Sequence, residues 1–108
     1  MSELDGQKRE RLAAAGWRTG DATDFLGLSP EESAYVELKL ALATHLRVVR
    51  TRRGLTQAGA AEIAGSSQSR VAKMETADAS VSIDLMVRTL LALGVSRQQV
   101  GRVIARAA

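Results

Sequence analysis

The 108-residue chain has no cysteine, one proline, one histidine and one each of tryptophan, tyrosine and phenylalanine. Without cysteine there is neither a disulfide framework nor a thiolate metal site, and His45 alone cannot assemble a zinc cluster, so no metal or cofactor is expected. The redox compartment stays open. No apolar run is long enough to span a bilayer, and the stretch from Met1 to Arg11 is polar where a signal peptide would be apolar. The expectation is a cytoplasmic protein with no membrane attachment. Glycine-rich phosphate loops and nucleophile elbows are missing as well. Glu31 and Glu32 are neighbours whose side chains point about 100° apart on a helix, and His45 has no nucleophile at a telling spacing, so catalysis is not expected.

What the chain does contain is helical periodicity. Val, Ile and Thr never alternate at period two, whereas apolar residues recur three and four apart, which predicts an all-α fold. With 45% hydrophobic and 25% charged residues, one small soluble domain can bury a modest core. Ser29-Pro30-Glu31-Glu32 is a strong helix start, with Ser29 as N-cap, Pro30 first in the helix and Glu32 closing a capping box. A long helix follows to about Arg53, where Gly54 ends it; its apolar stripe is Val36, Leu40 or Leu42, Leu46 and Val49. Thr56 caps a second helix over 57–64 and Ser67 a third over 68–75, with Gly65 and Ser66 between them. Ser82 opens a fourth that ends at Gly94, and Ser96 with Gln99 caps a fifth. The expected organisation is an N-terminal extension, 1–28, partly irregular with a frayed helix somewhere in 3–15, and a five-helix domain, 29–108.

Charge is distributed unevenly. Up to Leu38 eight acids face four bases, whereas from Lys39 to Glu75 seven bases face two acids. A basic middle section suits a polyanion, because neutralising phosphates releases counterions. Single-stranded RNA is the less suitable polyanion, since the aromatic platforms that stack unpaired bases are missing.

The third helix raises the sharper question. Val71 and Met74 fall on one face, while Gln68, Ser69, Ala72 and Lys73 gather on another. Glutamine can bond adenine N6 and N7 together, lysine reaches guanine or phosphate, and short Ser and Ala allow close approach to base edges. Gln57 and the free N–H groups opening the second helix offer a phosphate clamp. The polar residues are thus explained as a face that enters a groove.

The stretch "RGLTQAGAAEIAGSSQSRVAKME" resembles the Cro and phage-repressor type helix-turn-helix family, often called the Xre family, over roughly 39–94. Together with "FLGLSPEE" and "LLALG" it also resembles the subgroup that includes HigA-type antitoxins. The resemblance implies double-stranded DNA as partner, a homodimer on a palindromic operator, and the third helix in the major groove. It also implies DNA contacts from Thr56, Gln57, Ser67, Gln68, Ser69, Arg70 and Lys73. Arg50 and Glu75 match a structural ion pair that holds the recognition helix in register. Gly59 departs from the family's usual Glu, leaving Thr56 without a capping-box partner, and Ala64 is smaller than usual; both suggest a loosely packed second helix.

Three further expectations concern the remaining residues. Arg47, Arg52 and Arg53 form a solvated helix end. Leu90, Leu93, Val100, Val103 and Ile104 exceed what one small core needs and supply a dimer interface. Trp17, Phe25 and Tyr35 fold back onto the long helix or, alternatively, form a surface for a partner protein. The functional expectation is a sequence-specific DNA-binding regulator, the alternative an antitoxin whose N-terminal third neutralises a toxin while the domain autorepresses its operon.

Overall fold

The computed structural model describes residues 27–107, and among them the chain forms five helices and no strand. These are α1 (Pro30–Arg52), α2 (Gln57–Ala64), α3 (Gln68–Glu75), α4 (Ile83–Ala92) and α5 (Arg97–Arg106). The fold is all-α, as the periodicity predicts. Trp17, Phe25 and the helix expected within 3–15 lie outside the described residues. No helix among the described residues is long and apolar enough to cross a membrane.

Each helix begins where a short polar side chain can satisfy an orphan N–H. Ser29, Thr56, Ser67, Ser82 and Ser96 are all N-caps in extended conformation, each accepting from a backbone N–H three residues on. At Ser29 and Ser96 the box is reciprocal, since Glu32 and Gln99 accept from the cap's own N–H at 2.9 and 3.0 Å. The turn between α2 and α3 depends on Gly65, whose φ of 65° is left-handed, and it closes with Ser66 N–H donating to Ala61 O at 2.8 Å.

Helix α1 is the axis of the molecule, packing against α3, α4 and α5, while α2 packs mainly against α3. Leu42, Leu46, Val71, Met74, Met86 and Leu90 are fully enclosed. This resolves the register of the α1 stripe: Leu42 enters the core, and Leu40 is half-buried on a shallow groove between α1 and α5. Leu28, just before the helix, is buried too.

In helix α2, Ala60 and Ala61 are 0% and 3% exposed, while Gly59 and Ala64 are half-buried. Two expectations change at this level. Of the five residues assigned to a dimer surface, Leu90, Leu93, Val100 and Val103 are buried in the core of a single chain, and Ile104 alone remains exposed. An 81-residue unit needs those side chains for itself. Tyr35 does not fold back onto α1, being part of it; its exposed ring lies over the Lys39 ammonium, 5.9 Å from nitrogen to ring centre.

Candidate nucleic-acid interface

Helix α3 has two unlike faces. Val71 and Met74 are buried against α1 and α2, while Gln68, Ser69, Arg70 and Lys73 are exposed and Ala72 is half-buried. Ser67 is engaged in the helix start, its Oγ accepting from Arg70 N–H at 3.2 Å, and Thr56 Oγ1 likewise accepts from Gly59 N–H at 2.9 Å. Both hydroxyls position helices before they can meet any ligand.

A chain of hydrogen bonds ties the exposed face to the interior. Arg50, near the end of α1, donates through Nε to Glu75 Oε2, and through Nη2 to Glu75 Oε1 at 3.1 Å. Its Nη1 donates to Leu55 O at 2.9 Å, so one guanidinium joins α1, the α1–α2 loop and the last residue of α3. The hydrogen bond to Glu75 holds Arg50 above its ordinary pKa, outweighing burial, which acts the other way. Glu75 Oε1 also accepts from Gln57 Nε2 at 3.2 Å, and Gln57 Oε1 accepts from Gln68 Nε2 at 2.7 Å.

Charge dictates the direction of this chain. An ionised carboxylate only accepts, so Gln57 turns its NH2 group to Glu75 and its carbonyl oxygen to Gln68. Gln68 then donates one amide hydrogen inward, leaving the second hydrogen and the carbonyl oxygen for a ligand. Gln57, expected to face a phosphate, is engaged at both ends of its amide and keeps its second amide hydrogen. The sequence gives both ends of this arrangement, Arg50 and Glu75, but the Gln57–Gln68 pair depends on how α2 crosses α3 and has no signal in spacing.

Arg47, Arg52 and Arg53 at the end of α1 are all exposed, as expected. Arg53 Nη1 in addition donates to Leu93 O at 2.6 Å and so satisfies a carbonyl at the end of α4. Arg52 and Arg106 both face His45, which is half-buried beside the α1–α5 groove. Burial first, then Arg106 and Arg52, lowers its pKa from the ordinary 6.5. A base whose folded-state pKa is depressed leaves the unfolded chain to take up the proton first, so stability declines as pH falls below 6.5 and levels off once the folded-state pKa is passed. The urea midpoint between pH 7.5 and pH 5 is expected to fall in wild type and to fall less in His45→Gln.

No group of three or more His, Asp or Glu side chains among the described residues could hold a metal ion. Neither a curated protein nor a solved structure matches the chain. A family model described as "Helix-turn-helix domain" matches residues 41–103. That span contains the N-caps Thr56, Ser67, Ser82 and Ser96 together with Arg50, Gln57, Gln68 and Glu75, and it supports DNA binding. On this match over more than half of its length, and with α2, Gly65 and α3 forming the two helices and the turn, the chain belongs to the helix-turn-helix domain family.

Proposed function

We propose that the protein is a sequence-specific DNA-binding regulator in which α3 enters the major groove and Gln68 reads adenine. The observation that carries this reading is the polarity of the Arg50–Glu75–Gln57–Gln68 chain. It presents Gln68 with one N–H and one C=O directed outward, the donor and acceptor pair that complements adenine N7 and N6. Lys73, one and a half turns further along α3, is exposed for guanine or phosphate; Ser69 and the small Ala72 permit close approach. Arg70 serves the phosphate backbone or a base edge. Thr56 and Ser67 act through the helix starts, whose N–H groups favour phosphate. Arg47 and Arg52 add exposed positive charge.

Homodimerisation belongs to the same proposal, since a paired module matches two half-sites. Leu91 and Ile104, 41% and 39% exposed on α4 and α5, are the apolar residues available for it. Light scattering at micromolar concentration is expected to give twice the monomer mass, and a monomer at every concentration would count against it. The toxin-neutralising alternative rests on the N-terminal third, most of which lies outside the described residues, and no described contact favours it.

The reading is tested by titrating DNA from upstream of the protein's own gene, with random duplex as competitor, across a salt series. Wild type is expected to prefer the upstream DNA. Gln68→Ala is expected to lose about tenfold or more of that preference, the worth of one bidentate base contact, while binding random duplex as before. A wild type indifferent to sequence would sink the proposal.

A further inference from the structure

Lys39 is 4% exposed, one of two buried polar residues among those described, and sequence patterning marks it only as part of a basic stretch. Its Nζ donates to Asp78 O at 2.9 Å, in the turn that follows α3. Asp78 N–H in turn donates to Lys73 O at 2.9 Å, and Ala77 N–H to Met74 O at 3.1 Å, the double closure of a helix that ends in a left-handed residue. That residue is Ala77, with φ 54°, the one non-glycine among the described residues at positive φ; the turns at 54, 65 and 94 all use glycine. A left-handed alanine is strained and persists only where its surroundings over-determine it. Here the surroundings are α1: Ala77 packs against the core, and the cavity bounded by Tyr35, Val36, Lys39, Leu40, Thr76 and Ala77 is about 10 Å³, room for one water at most.

We infer that Lys39 is a positioning residue for base recognition, acting through Asp78 on Lys73. The inference rests on the DNA-reading proposal above. The recognition helix has only eight residues, and two ties hold its last turn: the Glu75 side chain to Arg50 and Gln57, and the Lys73 carbonyl through Asp78. Gln68, at its start, is held through Gln57 and Glu75. Lys73, in its last turn, is tied through its own carbonyl to Asp78, whose own carbonyl Lys39 holds. Releasing that carbonyl frees the strained turn to relax and lets the Lys73 backbone reorient, while Arg50 still holds Glu75 and through it Gln57 and Gln68. The consequence falls on the contact made by Lys73 and leaves the contact made by Gln68.

This predicts a specific pattern of coupling. The assay uses the full chain and the duplex that wild type selects from a random pool, with random duplex as reference, and takes the ratio of the two affinities as discrimination. Lys39→Met, which keeps the apolar stem, is expected to lower discrimination about tenfold, comparable with one base contact, at unchanged affinity for random duplex. In a Lys73→Ala background the same substitution is expected to change discrimination less than twofold, and in a Gln68→Ala background by the full factor, because only the first pair is coupled. A folded Lys39→Met that discriminates like wild type, or losses that multiply independently with Lys73→Ala, overturns the inference. If Lys39→Met does not fold, Lys39→Arg answers the same question: the larger planar head keeps the charge but does not fit the 10 Å³ cavity without displacing the turn, so the same coupling to Lys73 is expected. If wild type selects no duplex, the DNA-reading proposal fails first, an outcome distinct from a selective wild type with an indifferent Lys39 variant.

Discussion

Glu75→Ala is expected to destabilise the fold by about 3 kcal/mol, the cost of leaving one half of an inward-facing ion pair without its partner. The Glu75 side chain is 5% exposed and that of Arg50 is 14% exposed, so water cannot readily replace the missing carboxylate. The loss also removes the acceptor for Gln57 and unties the end of α3 from α1. Replacing both partners by apolar residues, Arg50→Met with Glu75→Leu, is expected to recover most of the stability, because no uncompensated charge remains. It is not expected to recover sequence discrimination, since nothing then dictates which way the Gln57 amide turns. Urea midpoints of the three proteins, compared with their DNA titrations, separate the two roles of the pair. A double variant that discriminates like wild type would show that Gln68 needs no guidance from Glu75.

Leu46→Ala is the second large effect, expected at about 3 kcal/mol from lost transfer energy and the cavity left behind. Leu46 is fully enclosed, on a helix that packs against α3, α4 and α5. Small domains of this size have about 5–15 kcal/mol in total, so the variant is expected to unfold at a visibly lower urea concentration with an unchanged slope. A loss below about 1 kcal/mol would mean that the core around α1 collapses into the gap and is packed less rigidly than its burial indicates.

The two effects have different origins, and so do the parts of the structure that the sequence reveals. Helix starts, and the ends of α1, α2 and α4, were legible because they rest on local chemistry: a Ser or Thr whose oxygen reaches an N–H three residues on, or a glycine that takes a left-handed turn. The two faces of α3 were legible for the same reason, since spacing alone separates Val71 and Met74 from Gln68 and Lys73. What periodicity cannot show is which elements meet. Nothing in the neighbourhood of the exposed Arg53 announces that Leu93 O lies within its reach. The apolar residues of α4 and α5 looked surplus because a count of stripes does not reveal that α1 is long enough to be covered on several sides at once. The bonds of Gln57 and Lys39 escape the sequence similarly: each is a polar residue on an otherwise ordinary helix, and its partner, Gln68 or Asp78, is brought to it only by the packing of α3.

Helix α3 is therefore held by polar bonds at both ends and by apolar packing between, with every exposed side chain on one face. Such an arrangement suits a helix whose side-chain directions matter more than its own stability, because eight residues form no stable helix alone. The account stands or falls on Gln68 presenting a donor and an acceptor to one adenine. The most direct measurement replaces each adenine of the selected duplex, in turn, by 7-deazaadenine, which lacks the N7 acceptor and retains pairing, and compares wild type with Gln68→Ala. The account predicts one position at which wild type loses about tenfold in affinity and Gln68→Ala loses nothing. If no position behaves so, or if both proteins lose equally at every sensitive position, Gln68 does not read adenine and the polarity of the Arg50–Glu75–Gln57 chain has no part in recognition.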